Sequence, residues 1–358
     1  MHRDPSPPMP AAIPADDLTA ILKAIARGPD HATDLSRETA HALFAAWLAG
    51  GLPPVVQGAL WTALRLKGES TDELLGFVAA TEETLAPVAV PSRLRPVVFA
   101  AYNGARHHAN LLPLLALLLS REGVPVLIHG AYGGPAAGAD WPDPAPNPAR
   151  RITTGEILAA LGLPPVANRE AVPDHIARHH LAYIPIDILH PRLAAVLSLH
   201  HTLGVRSSVH NVIKLFNPCT RPAVLCAAVS HPPYLARLGA FFMATGTTAL
   251  ILRGTEGEPV AHPKRRPALI GVENGHQHEW FAEDRAPLAE VPDLPSDRSA
   301  GQTARFIEEV LAGRRRAPRA ISDQAACLLV MSGAAPDLAT ACARLGVSHD
   351  PAKPQPGP

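Results

Sequence analysis

Two runs of cations stand out along the chain: Lys264-Arg265-Arg266, and Arg314-Arg315-Arg316 followed by Arg319. Positive side chains in series can follow a repeating phosphate chain without a metal between them. Their other reading is a solvated surface, and Glu308 and Glu309 can partly neutralise the second run. Lys214 lies within Val212-Ile213-Lys214-Leu215-Phe216. It either contacts a phosphate or snorkels from an apolar helix to water. His276-x-His278-Glu279 and His200-His201 invite a zinc reading. A set of three ligands with fixed partners is not visible, so surface or hydrogen-bonded histidines are expected. No Ser-His-Asp order or Gly-x-Ser-x-Gly elbow appears, which leaves hydrolase chemistry without support.

These residues sit in a chain of 358 residues, enough for two domains or one large one. With 47% hydrophobic and 18% charged residues, it can bury a sizeable core. Thirty-two basic residues balance 32 acidic ones, which excludes a histone-like protein but not a local basic groove. The 39 Pro and 26 Gly fall below the roughly 25–30% share of a low-complexity chain. Only five of the basic residues are Lys, and 18 His form a reserve of titratable charge. Four Cys form no C-x-x-C pair, so a zinc site or disulfide framework is not expected and a reducing cytoplasm is the default. Residues 1–14 lack a secretory core. The apolar run Leu111–Leu119 is shorter than the ~20 residues a membrane span needs.

The spacing of apolar residues predicts the elements. Leu18, Ile21, Leu22 and Ile25 repeat with helical period, as do Ala40, Leu43, Phe44, Trp47 and Leu48 behind a Ser36 cap. Leu60, Trp61 and Leu64 mark a third helix, and Ser70–Glu73 reads as a capping box opening a fourth. Beyond them, Val97–Ala100, a helix over Leu111–Arg121 and Val124–His129 predict a βαβ unit and hence a parallel sheet. Further strands are expected at Ala223–Val229, Thr248–Leu252 and Ala268–Val272. Helices are expected near 233–244, 303–312, 321–332 and 337–345. A loop rich in Pro and Gly runs from Gly130 to Arg150, and Thr153–Glu156 caps another helix. Helices followed by alternating strands and helices give an α/β class with a separate helical domain. Proline-rich segments at 1–15 and 346–358 read as disordered tails, around a helical domain at 16–90 and an α/β domain at 95–345.

Several segments resemble the anthranilate phosphoribosyltransferases, of glycosyl transferase family 3. Gly58-Ala59-Leu60 with Ala63–Ser70 resembles their N-terminal helical signature. Gly204-Val205-Arg206-Ser207 with Phe216-Asn217-Pro218 resembles their substrate-side segment, and His129-Gly130 resembles what remains of a Lys-His-Gly-Asn motif. The resemblance implies the nucleoside phosphorylase/phosphoribosyltransferase-type fold, α/β with a mostly parallel central sheet. It also implies that a segment near 170–205 joins the helical domain. Two motifs depart from the family. Where it carries Gly-Thr-Gly-Gly-Asp, this chain has Ala101–Asn110 with one glycine, a loop not expected to close its N–H groups on a diphosphate. Where it carries an Asp-Glu pair for magnesium, this chain has Pro259-Val260, with Glu256 and Glu258 near enough to rescue a metal site. Tyr102–Arg106, Gly123–Gly130 and Arg253–Glu258 are similar to the YbiB-type branch, whose members are dimers described as nucleic-acid binders.

The resemblance thus implies a homodimer, joined through the helical domain, that binds single-stranded DNA or RNA largely without sequence preference. The residues expected to contact phosphate are Asn103, Gly104, Arg106, His107, His129, Arg206, Lys214, Arg253, Lys264, Arg265 and Arg266. No catalytic residue, cofactor or metal is assigned, and no membrane partner. The alternative is a working glycosyl or phosphoribosyl transferase, for which magnesium would be needed; Arg206 and His129-Gly130 favour it.

Overall fold

The computed structural model describes residues 13–28, 30–132, 150–230, 232–284, 294–295 and 297–348. Both expected tails, apart from residues 13–15 and 346–348, and most of the Gly130–Arg150 loop lie outside the described residues. Two compact units divide the chain. One comprises Met1–Ala86 with Ile186–Pro218, the other Pro87–Pro185 with Cys219–Pro358.

In chain order the elements begin with α1 (Ala15–Ile25), α2 (Arg37–Leu48), α3 (Pro54–Lys67) and α4 (Thr71–Thr84). The α/β unit starts with β1 (Val97–Ala101), α5 (Leu112–Arg121), β2 (Val126–Gly130), α6 (Thr154–Ala160), α7 (Val172–His179) and β3 (Leu181–Pro185). The chain returns to the helical unit for α8 (Ile186–Leu189), α9 (Pro191–Leu203) and α10 (Val209–Val212). It then completes the α/β unit with β4 (Val224–Val229), α11 (Pro232–Thr245), β5 (Ala249–Arg253), β6 (Leu269–Glu273) and β7 (His276–Phe281). Helices α12 (Ala300–Leu311), α13 (Arg319–Ser332) and α14 (Leu338–Arg344) follow.

The caps read from sequence form as expected. Ser36 accepts the Thr39 N–H, and Ser70 with Glu73 and Thr153 with Glu156 form complete capping boxes. Glu73 is buried because its carboxylate also serves Leu35 N at 2.9 Å and Lys67 Nζ at 2.7 Å. Aromatic residues fill the helical unit: Phe44 lies 5.0 Å from Phe77 and Trp47 lies 6.2 Å from Trp61, centroid to centroid. The returning segment spans 186–218, so the neighbourhood of 170–205 that the resemblance implied belongs to it only from 186 onward. Residues 172–185 instead form α7 and β3, and β3 is claimed by the sheet because it pairs along its whole length with β2.

The sheet has seven strands in the order β3-β2-β1-β4-β5-β6-β7. The first five run parallel, β6 pairs antiparallel with β5, and β7 pairs antiparallel with β6. Strands β1 to β4 are buried along their whole length, which explains why β1, β2 and β4 read as apolar runs. Strand β7 went unread because four of its six residues are exposed and polar. Its signal was the Asn274-Gly275 pair, both at positive φ (51° and 75°), which closes a hairpin with β6. His276 and His278 are therefore residues of an exposed edge strand. No helix is long and apolar enough to cross a membrane among the described residues.

Candidate anion-binding site

Strand order reverses between β1 and β4, the place where parallel α/β sheets leave room for ligands beyond their carboxyl ends. Two loops meet there: residues 102–111 after β1 and residues 254–268 after β5. Gly104 makes the first loop possible. Its φ is +65°, and a Cβ would stand 2.8 Å from the Ile152 carbonyl oxygen. Ala105 and Ile152 exchange backbone hydrogen bonds of 3.0 and 2.9 Å beside it. At the end of β2, Gly130 is equally constrained, because a Cβ would lie 2.1 Å from the Ala101 oxygen.

Five backbone N–H groups of the first loop converge on two carboxylates of the second. Asn103 and Gly104 donate to Glu258 Oε1 at 2.9 and 2.7 Å. Arg106 donates to Glu256 Oε2 at 2.7 Å, while His107 and His108 donate to Oε1 at 2.8 and 2.9 Å. The loop was not expected to close its N–H groups on a diphosphate, and here they close on carboxylates of the chain itself. One left-handed turn at Gly104 suffices, and the anions are the chain's own side chains. Asn103 also donates through Nδ2 to the Glu256 carbonyl.

The two acids differ in environment. Glu258 is buried, and burial pushes its carboxyl above the ordinary range despite the Gly104, Asn103 and Thr154 hydrogen bonds. Burial also acts upward on Glu256, but the three N–H groups and His107 outweigh it and hold that carboxyl low. Arg151 Nη1 adds a charge 3.7 Å from Glu256 Oε2. Glu256 reaches its place from a left-handed backbone (φ +54°), which costs a side-chain-bearing residue about 1–2 kcal/mol. Behind the loop, Gln324 of α13 accepts the Ala261 N–H at 2.7 Å and donates to the Pro259 carbonyl at 2.9 Å. Asn110 donates to Thr154 Oγ1 at 3.0 Å, and Thr154 donates to Glu258 Oε2 at 3.3 Å.

A magnesium ion needs oxygen ligands turned toward it. Glu256 and Glu258 face N–H donors, Pro259 and Val260 offer no side-chain oxygen, and no group of three or more His, Cys, Asp or Glu could hold a metal among the described residues. The donor set does not fit the ion.

The remaining candidates fall into two groups. In the α/β unit, the side chains of Arg106, His107, Lys264 and Arg265 are exposed. Arg253 is exposed at the end of β5, 3.5 Å from Glu283. Arg266 is turned inward, 3.3 Å from Asp323 and over the Phe281 ring. Asp323 is fully buried and also binds Arg319 at 2.7 Å, which removes Arg319 from the second cationic run. His129 is buried within β2, between Ala100 and Ile184. A cavity of about 360 Å³ is lined by His107, His108, His262, Lys264 and Arg298 together with Asp297 and apolar residues. Burial, then Arg265, His108 and Lys264, lower His262 to about 4, so it is neutral at pH 7. Arg298, which donates to the Arg106 carbonyl, had no motif to mark it.

Arg206 and Lys214 belong to the helical unit. Arg206 is half-buried, and its carbonyl accepts from Arg65 at 2.8 Å. Lys214 is buried, and burial lowers it to about 8, against the upward pull of Glu69. Its neighbour His210 packs edge-on to Trp61 and is held well below its ordinary value by burial, His200 and Arg206.

This fold, with two loops meeting beyond β1 and β5, is that of the phosphoribosyltransferase-like glycosyl transferases. Residues 19–84 match the family model described as glycosyl transferase family, helical bundle domain. YbiB of Escherichia coli (strain K12) is 34% identical over 331 residues, covering 92% of this chain and 98% of that protein. An anthranilate phosphoribosyltransferase of Methylorubrum extorquens (strain PA1) is 29% identical over 320 residues, 87% of this chain and 88% of its own. The crystal structure of anthranilate phosphoribosyltransferase from Thermus thermophilus superposes with a TM-score of 0.69 at 22% identity, over 92% of this chain and 93% of that one. The chain belongs to the family of YbiB, among the anthranilate phosphoribosyltransferase-like proteins of glycosyl transferase family 3.

Proposed function

We propose that this protein binds single-stranded DNA or RNA, largely without sequence preference, on a transferase fold that has given up its diphosphate loop and metal acid pair. The observation that carries this reading is the division of labour in the loop after β1. Its backbone donors are taken by Glu256 and Glu258, while the side chains of Arg106 and His107 face solvent, as do those of Lys264 and Arg265. A filled backbone cradle suits no free diphosphate, whereas exposed cations suit a phosphate chain. Arg206 and Lys214 enter as a separate set in the helical unit. The protein is further read as a cytoplasmic homodimer. Support for the dimer comes from α3, whose exposed Val55, Ala59, Thr62 and Leu66 share one helical face.

The identity with a named transferase favours a second reading, in which transferase activity persists. Anisotropy of a labelled single-stranded oligonucleotide, titrated at several salt concentrations, separates the two when phosphoribosyl pyrophosphate with Mg²⁺ is added as competitor. Tight binding that falls steeply with salt and ignores the competitor is expected. Absence of binding at low salt would overturn the nucleic-acid reading.

A further inference from the structure

Among the described residues, Tyr132 is the one Phe, Tyr or Trp that is exposed, at 44%. It follows closely on Gly130, the last residue of β2, and so lies beyond the carboxyl end of a strand that pairs in parallel with β1. The loop after β1 leaves the sheet at the same end. The Tyr132 ring is held in place from behind. Its centroid is 6.4 Å from that of Tyr183, with the rings tilted by 56°. Tyr183 is buried in β3, and its hydroxyl donates to the Ala131 carbonyl, which fastens the backbone beside Tyr132 to the sheet. In the first turn of α6, a Cβ at Gly155 would stand 2.6 Å from Tyr132 Cδ2, so the glycine leaves the room in which the ring lies. A ring backed by protein and still close to half exposed can take a second flat surface with little further loss of freedom.

The segment that packs on this ring also carries and reaches cations. Arg151 donates to the Gly104 carbonyl at 3.0 Å, and Ala105 and Ile152 exchange backbone hydrogen bonds. Arg106 comes next in the loop and is exposed, as is Arg150, which pairs with Glu156. Aromatic rings that stack on bases, set among cations that meet phosphates, are how proteins hold single strands.

We propose that Tyr132 is the stacking platform for an unpaired base, and thereby the residue that makes the site prefer single-stranded to double-stranded nucleic acid. The proposal rests on the nucleic-acid reading above and names what selects the strand. A duplex keeps its bases stacked on one another and must unpair and unstack one to reach the ring, whereas a single strand offers a base face directly. The exposed arginines meet the phosphates of either form, so they add affinity without this preference. Every base has a π-face, so the ring selects an unpaired base and not a particular one.

The test compares three labelled ligands at one salt concentration: a mixed-sequence single strand, its duplex, and an abasic strand of the same length. Each is titrated with the full chain as native protein, Tyr132→Phe and Tyr132→Ala. Tyr132→Ala is expected to lose about tenfold in affinity for the single strand and to keep its affinity for the duplex and the abasic strand. Tyr132→Phe retains the ring and is expected to match the native protein on all three. If the native protein binds and Tyr132→Ala shows the same ratio of single-strand to duplex affinity, the role of Tyr132 is overturned and the nucleic-acid reading stands. If the native protein binds no strand, that reading falls and the inference falls with it. Should the alanine variant fail to melt cooperatively, Tyr132→Leu keeps an apolar side chain against Tyr183, removes the ring and is read in the same way.

Discussion

Glu258 accepts the backbone N–H of Gly104 at 2.7 Å, joining the loops after β5 and β1 across 154 residues of sequence. The carboxylate is buried, so the bond is shielded from water and holds the glycine turn that shapes the rest of the loop. Loss of this acceptor leaves two N–H groups without a partner. Glu258→Ala is expected to destabilise the protein by about 1–3 kcal/mol, measured by urea unfolding.

The two loop carboxylates should give opposite pH dependences. Glu258 is raised above 4.5 in the folded state, so its contribution is complete below 4.5 and is lost as pH rises through the folded value. Glu256 is lowered, so its contribution is complete above 4.5 and is lost as pH falls through the folded value. Unfolding free energies measured across this range should lose the upper slope in Glu258→Gln and the lower slope in Glu256→Gln.

Neighbouring arginines should behave differently. Arg265 is exposed, whereas Arg266 is committed to the buried Asp323. Arg265→Ala should weaken oligonucleotide binding evenly across sequences and reduce the salt dependence by about one counterion. Arg266→Ala should leave the salt slope unchanged and lower the unfolding midpoint. Asp323→Ala should cost about 3–5 kcal/mol, because two arginines lose their buried countercharge.

Lys214 titrates at about 8 in the folded protein against an ordinary 10.5. A depressed lysine gives stability that is complete above 10.5 and lost as pH falls through 8. Unfolding free energy should therefore rise across this interval in the native protein and stay flat in Lys214→Met. If the ammonium contacts phosphate, oligonucleotide affinity should also fall above pH 8 in the native protein alone.

The α3 face predicts the oligomeric state. Val55 and Leu66 are 81% and 65% exposed, three helical turns apart on one side. Val55→Glu with Leu66→Glu should give a monomer by light scattering and leave the melting of the folded protomer cooperative.

Local pattern was enough for most elements. Helical periodicity, the Ser36, Ser70 and Thr153 caps and the apolar strand runs act over a few residues, so each is written where it operates. The fold class followed from their order. Strand β7 was hidden because an edge strand needs no apolar face, and β3 because its five residues gain strand character only beside β2. The site's chemistry was hidden for a further reason. Glu256 and Glu258 read as possible metal ligands, and Arg266 reads like Arg265. Only the tertiary structure turned the acids onto N–H donors about 150 residues away and Arg266 onto Asp323. The energy of a hydrogen bond or ion pair depends on which partner folding brings within reach, and that choice leaves no mark in the spacing of either residue.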